Sequence, residues 1–346
     1  MFNDASILVT GATGFFGMNF VRYILQHYHP KRVVIYSRDE FKQYLLRQHL
    51  QHNCLEFCIG DIRDFPRLEY ALRGIDYVVH AASMKHITIA ESNPTECIQT
   101  NIAGTENLIR ACINNRVKKV IGLSTDKAVS PINLYGATKL VLEKLLIAAD
   151  LMYKDSGTTF SVVRYGNVIG SRGSVLPYFK RIIAEGALEL PITHPEMTRF
   201  WLPVNDAIKV VIKAFKSGKG GEIFIPKAPS IKIVHLAASL ASHLPIKIIG
   251  IRKGEKLHEI LCTAEDSHVF EEPDYYYIIS NNHLPKYANI NKNPINAFEY
   301  NSQTNDTFLS IKEIESMNQQ DEYFIDEKLD LPALKHKRPN FEVVLS

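Results

Sequence analysis

The 346 residues are 46% hydrophobic and 22% charged, an ordinary globular composition long enough for a full core and two lobes. The net charge of +3 comes from Lys and Arg spread along the chain, which leaves no dedicated nucleic-acid-binding stripe. No apolar run reaches the ~18 residues of a membrane span, and Met1-Phe2-Asn3-Asp4 carries no basic n-region, so a membrane partner is excluded and the cytoplasm is expected.

Ser6-Ile7-Leu8-Val9-Thr10 reads as a buried strand, and Gly11-Ala12-Thr13-Gly14-Phe15-Phe16-Gly17 then opens a helix. A strand before and a helix after is the context a dinucleotide loop needs. Gly11 makes the tight turn, Gly14 lets backbone N–H groups approach a pyrophosphate, and Gly17 packs helix on sheet, with Thr13 and Phe15 in the same loop. The second strand, Arg32-Val33-Val34-Ile35-Tyr36, runs into Ser37-Arg38-Asp39-Glu40. Ser37 and Arg38 offer donors and positive charge to a 2′-phosphate where an NAD site shows a carboxylate, so NADP is favoured; the alternative is an Arg38 that only pairs with Asp39 or Glu40. After a third strand, Leu55-Glu56-Phe57-Cys58-Ile59, Asp61 and Ile62 are expected over the adenine. A fourth, Tyr77-Val78-Val79-His80-Ala81-Ala82, brings the small Ala81 and Ala82 close to the cofactor. Lys85 suits a phosphate or sugar oxygen by its charge, His86 a positioning or structural role. Asn101 is expected to begin a helix, as a buttress of the cofactor loop or a simple N-cap.

Val120-Ile121-Gly122-Leu123 is another buried strand. It places Ser124, Thr125, Asp126 and Lys127 at a carboxyl end, where open α/β sheets bind ligands. Beyond Pro131 a helical pattern puts Tyr135 and Lys139 four residues apart on one face. A phenol titrates near ~10 in water, and a neighbouring ammonium with an oxidised nicotinamide favours its phenolate. Lys139 is expected to supply that field and hold the cofactor ribose.

Phe160-Ser161-Val162-Val163-Arg164-Tyr165 continues the rhythm, so alternating βα units occupy about residues 1–170. The expected class is α/β, a Rossmann-type doubly wound parallel sheet with a smaller C-terminal lobe. Residues 1–170 form the NADP-binding domain, to which later segments can return, and 171–346 are mainly a substrate-binding lobe and tail. In that lobe Arg199 and Arg252 sit in polar contexts suited to bidentate grip on a diphosphate. The tail after about Leu284 is either a partly ordered cover over the cleft or a surface extension. Five scattered cysteines, Cys54, Cys58, Cys97, Cys112 and Cys262, read as reduced thiols, with no metal site.

Taken together, Thr10 to Gly17, Tyr36 to Glu40, Leu123 to Ala128, Asn133 to Lys139, Arg164 to Val168, Ser171 to Val175, Met197 to Trp201 and Gly254 to Glu259 resemble the extended short-chain dehydrogenase/reductases. Within them they are similar to the PseB-type inverting UDP-N-acetylglucosamine 4,6-dehydratases, which start pseudaminic acid synthesis. Met84 and Val129-Ser130 depart from the usual residues without changing a reacting group. The resemblance implies a UDP-sugar substrate, NADP, and a homo-oligomer, a hexamer in the family. It implies catalytic roles for Thr125, Asp126, Lys127, Tyr135 and Lys139, and substrate contacts from Lys85, Asn167, Ser174, Val175, Arg199, Arg252 and Glu255.

The implied reaction has Tyr135 take the O4 proton while hydride leaves C4. Lys127, if neutral, removes the C5 proton, and Asp126, if protonated, gives a proton to the departing C6 hydroxyl. Those protonation states are opposite to free solution, and desolvation together with the Lys139 charge is expected to make Lys127 neutral. A plain Asp126–Lys127 ion pair is expected to leave the elimination without its base. In retaining relatives the residue after the Asp is acidic, so Lys127 favours inversion. The alternatives are a retaining 4,6-dehydratase, a nucleotide-sugar 4-epimerase, or an NADP-sensing binding protein on a dehydrogenase scaffold.

Overall fold

The computed structural model describes residues 1–266, 268–279, 293–295 and 297–320. Six strands in chain order, β1 (Ser6–Thr10), β2 (Arg32–Ser37), β3 (Leu55–Ile59), β4 (Tyr77–His80), β5 (Lys119–Thr125) and β6 (Thr159–Tyr165), pair in parallel. Helices α1 (Phe15–His27), α2 (Glu40–His49), α3 (Phe65–Ala71), α4 (Ile87–Ser92), α5 (Pro94–Ile98), α6 (Gly104–Asn114) and α7 (Leu134–Met152) connect them. With helices on both faces, a central parallel strand is buried on both sides and has no polar face. All five residues of β1 are accordingly buried, and Ile7, Leu8 and Val9 each contribute roughly 1.5–3 kcal/mol by leaving water.

The chain does not leave this sheet at residue 170. After β7 (Asn167–Val168), α8 (Val175–Ala184), β8 (Leu190–Ile192), β9 (Thr198–Leu202) and α9 (Val204–Ser217), strand β10 (Glu222–Pro226) returns to pair in parallel with β6. Then follow β11 (Ser230–Lys232), α10 (Ile233–Ala241), β12 (Ile246–Ile248) and β13 (Ile260–Cys262). Strands β14 (Val269–Glu271) and β15 (Tyr275–Ile279) add an antiparallel edge beyond β10. The sheet thus has nine strands in the order β14-β15-β10-β6-β5-β4-β1-β2-β3. The all-apolar run Ile223-Phe224-Ile225 explains the return, because it is buried only inside a two-sided sheet.

A second, smaller core packs Leu176, Phe179, Ile192, Met197, Trp201, Ile231, Leu236 and Ile314. Strand β16 (Tyr300–Asn301) pairs with β13, and the Tyr300 hydroxyl both accepts from the Ala228 N–H and donates to its carbonyl, at 2.8 and 2.9 Å. Helix α11 (Ile311–Gln320) rests on α10. The tail expected to cover the cleft lies largely outside the described residues.

Two local departures from the sequence reading have clear causes. β4 stops at His80 because the Ala81 and Ala82 N–H groups turn to the Thr10 hydroxyl, at 3.1 and 3.2 Å. Asn101 does not open a helix; it sits inside a π-helical turn over Gln99–Ala103 that leads into α6. Its amide bonds both backbone groups of Met84 and the Thr138 hydroxyl, which fits the tendency of such turns to mark functional positions.

Candidate active site

The loop after β1 is shaped by contacts that only glycine permits. Gly11 has φ +64°, and a Cβ there would lie 2.8 Å from Ala82 Cα; one at Gly17 would lie 2.6 Å from Ala12 Cα. Gly14 caps α1 without a side-chain bond, so the first turn presents backbone to a ligand at the positive end of the helix. Behind the loop runs a buried chain of hydrogen bonds. The Thr10 hydroxyl accepts from Ala81 and Ala82, so it donates to His80 Nδ1 at 2.9 Å. Nε2–H then donates to Thr105 Oγ1 at 3.1 Å, and Thr105 donates to the Asn101 carbonyl at 2.7 Å. Burial holds the imidazole neutral, its pKa pushed down to about 3. This cradle fits the pyrophosphate of a dinucleotide.

At the ribose end Arg38 meets neither Asp39 nor Glu40; it lies 3.7 Å from Asp61 Oδ2. Asp61 is already held by Arg63 at 2.8 Å, and burial notwithstanding, the hydrogen bonds and charge of Arg63 keep its carboxyl below the ordinary range. The Ser37 hydroxyl accepts from Gln43 at 3.0 Å. Ile62 packs into the gap left by Gly104.

Strand β5 delivers Thr125, Asp126 and Lys127 into a short turn, and α7 begins just beyond, its N-terminus capped by Asn133, which accepts from the Gly136 N–H at 2.8 Å. Gly136 is required there, since a Cβ would stand 2.0 Å from the Lys127 carbonyl oxygen. Turn and helix therefore touch backbone to backbone, and Tyr135 is brought to the Asp126–Lys127 pair. Thr125 Oγ1 donates to Asp126 Oδ1 at 2.8 Å, and Lys127 Nζ lies 3.0 Å from the same oxygen. On its other side Lys127 Nζ lies 3.1 Å from Glu259 Oε1.

This cluster corrects the expectation of a neutral Lys127. Burial pulls its pKa down, but the Asp126 and Glu259 carboxylates outweigh it, and the ammonium is held above the ordinary lysine range. The resting site contains an ion pair. Burial pushes the Tyr135 phenol up to about 12, against the pull of the Lys127 ammonium and the Thr125 hydroxyl. The field on the phenol thus comes from Lys127, where the sequence suggested Lys139. Burial brings Lys139 itself down to about 8, although Glu143 pulls the other way.

The expected substrate contacts divide. Asn167 on β7 and Ser174 at the start of α8 bury Oδ1 and Oγ atoms that have no hydrogen-bond partner among the described residues, and Val175 follows as the first residue of that helix. The exposed Lys85 donates to the Arg172 carbonyl at 2.9 Å, its ammonium pushed down to about 8 by partial desolvation and the neighbouring Arg172 and Lys127 charges. Arg199 is buried, and its guanidinium bonds the carbonyls of Thr198, Leu257 and Lys256 at 2.7–3.0 Å. It secures the 254–259 loop, and the diphosphate grip expected of it is not where its donors point. Arg252 remains exposed, its N–H bonded to Glu255 at 3.2 Å. Glu259 was not singled out by the sequence, although the loop containing it was; a carboxylate following His258 gives no sign of the lysine it meets 132 positions away.

Comparison with known proteins agrees with this geometry. The family described as polysaccharide biosynthesis protein matches residues 7–281. A UDP-N-acetylglucosamine 4,6-dehydratase (inverting) of Campylobacter jejuni subsp. jejuni serotype O:23/36 is 55% identical, over 81% of this chain and 84% of the relative. A UDP-glucose 4-epimerase of Rickettsia typhi is 44% identical over the same shares. The solved structure of Pen from Bacillus thuringiensis superposes with a TM-score of 0.84 at 38% identity, covering 91% of this chain and 97% of that one. With its Rossmann-type sheet, glycine cradle and Thr-Asp-Lys turn beside Tyr135, the chain belongs to the inverting UDP-N-acetylglucosamine 4,6-dehydratases of the extended short-chain dehydrogenase/reductase family.

Proposed function

We propose that this protein converts UDP-N-acetylglucosamine to UDP-2-acetamido-2,6-dideoxy-β-L-arabino-hexos-4-ulose, the first step of pseudaminic acid biosynthesis, using NADP. The observation that carries the proposal is the pair of buried Asp126 and half-buried Lys127, 3.0 Å apart and joined to the Tyr135 helix through Gly136. When bound, the oxidised nicotinamide supplies positive charge and a hydride acceptor for sugar C4, and the same hydride for C6. Tyr135 takes the O4 proton, and the resulting 4-keto group makes the C5 proton acidic.

An ion pair does contain the acid and the base for the next step, one proton transfer away. As the sugar excludes water, desolvation penalises both charged forms, and the Lys127 proton passes to Asp126. The neutral amine then takes the C5 proton while the C5–C6 double bond forms; the C6–O bond breaks, and the Asp126 proton leaves in the water. Carboxylate and ammonium are restored. With the hydride returned to C6, a proton from solvent added to C5 on the face opposite Lys127 gives inversion, and the proton that Tyr135 took from O4 is released to solvent, so that the net loss is one water. In this reading Lys139 holds the cofactor ribose, and Asn167, Ser174 and Val175 with the smaller lobe hold the sugar nucleotide.

The preference for NADP rests on Arg38, whose side chain is 56% exposed and, among the described residues, pairs with a carboxylate that Arg63 already holds. Arg38→Ala is expected to weaken NADP binding about 10–150-fold, the equivalent of ~1.5–3 kcal/mol for a charged hydrogen bond, with NAD binding nearly unchanged; titration calorimetry reads both. Five unpaired cysteines suit a reducing compartment, and we place the protein in the cytoplasm. A homo-oligomer is supported by the exposed apolar Ile89, Ile98 and Val141 on α4, α5 and α7.

The test is proton NMR of the purified protein with UDP-N-acetylglucosamine and NADP in deuterated water. A C5-inverted 4-keto-6-deoxy product with deuterium at C5 is expected. Recovery of UDP-N-acetylgalactosamine alone would instead support the 4-epimerase reading, to which the Rickettsia relative points.

A further inference from the structure

Glu259 is a buried carboxylate whose position is tightly determined. Its N–H donates to Ser302 Oγ at 2.9 Å, and the Ser302 N–H donates back to its carbonyl at 2.8 Å. Its Oε1 lies 3.1 Å from Lys127 Nζ and 3.8 Å from Arg199 Nε, while Oε2 has no hydrogen-bond partner among the described residues. Asp126 repeats the pattern, with Oδ1 bonded and Oδ2 without a partner. Lys127 is therefore suspended between two buried carboxylates, each with one oxygen unused by the fold. A group needed only for packing is cheaper as an apolar side chain.

We infer that Glu259 is a positioning residue for water elimination: it holds the Lys127 side chain against Asp126 and sets the pH window in which that pair carries its single working proton. The inference rests on the dehydratase reading above. The pair works with one proton shared between carboxylate and amine; with two, the amine cannot act as base, and with none, the carboxyl cannot act as acid. A fixed negative charge beside the pair raises both boundaries of that window. Other charges also face Lys127. Arg199 from β9 and Lys256 from the adjoining loop oppose Glu259, as does Lys85 after β4, and the Tyr135 phenol approaches from α7. The net effect on Lys127 is still upward, so the two carboxylates dominate.

The experiment compares pH profiles of C5 proton exchange and of C4 oxidation, the latter as reduced cofactor in a single turnover. Glu259→Gln keeps the shape and removes the charge; its bell-shaped exchange profile is expected to move to lower pH by about 1–3 units. Glu259→Asp draws the charge back by one methylene and is expected to move it the same way by less, which keeps the inference testable should the Gln variant not fold. If both profiles fall in parallel with their limbs unmoved, Glu259 is structural only and the inference is overturned. A wild-type protein that turns over no sugar nucleotide overturns the functional reading itself, whereas an active wild type with unshifted variants overturns the inference alone.

Discussion

Tyr135→Phe is expected to lower turnover about 10²–10⁴-fold, the range for losing a positioned acid–base group, while cofactor binding and thermal unfolding stay close to wild type. The phenol is desolvated beside Thr125, and removing its oxygen leaves the backbone contact between α7 and the Asp126–Lys127 turn untouched. Because burial holds the phenol up at about 12, the wild-type C4 oxidation is expected to rise with pH, and the variant is expected to lose that dependence. Stopped-flow detection of reduced cofactor reads both. A variant that kept the protein's biological activity would restore the reading of a cofactor-sensing binding protein.

Lys127→Met separates the two halves of the reaction and also tests the cluster's contribution to stability. Elimination is expected to fall about 10²–10⁴-fold, whereas reduced cofactor still forms through Tyr135, more slowly at a given pH because the phenol has lost the ammonium that opposes its burial. The fold is expected to lose about 3–5 kcal/mol near neutral pH, since buried Asp126 is left without its cation and buried Glu259 keeps only Arg199, at 3.8 Å. The sign with pH follows from the groups that remain. In the wild type Lys127 has its pKa raised, so its contribution is fully present below the ordinary lysine pKa and is lost only as pH rises above it. In the variant the carboxylate of Asp126, left buried without a cation, favours protonation, so stability recovers as pH falls through the carboxylate range. Urea titrations at several pH values check this. A loss of stability that does not change with pH would mean that the ion pair contributes nothing to it.

Local chemistry carried most of the dinucleotide half. The apolar run of β1, the spacing of Gly11, Gly14 and Gly17, and the helix that follows depend on neighbours close in sequence, and each lies where the periodicity put it. The polar cluster after Leu123 and a helix beyond Pro131 carrying Tyr135 and Lys139 were legible for the same reason, although β5 runs on through Thr125. Charge states were not, because they depend on what the rest of the chain brings near. Lys127 read alone is a candidate neutral base; with Glu259 beside it, it is an ammonium. Arg199 read alone is an anion-binding guanidinium, yet folding commits it to three backbone carbonyls.

The amino-acid sequence by itself determined the class of fold, the glycine-rich loop after β1 and the neighbourhood of Asp126, Lys127 and Tyr135, because backbone periodicity and short motifs are interactions over a few residues. Tertiary structure alone decided that β10 returns to the main sheet, that Arg38 faces Asp61, and that Glu259 closes on Lys127. These contacts join segments 23 to 132 positions apart in the sequence, or in the case of β10 a strand to a sheet begun far upstream. Electrostatic energy depends on distance in space and on burial, and neither is set until the chain has packed.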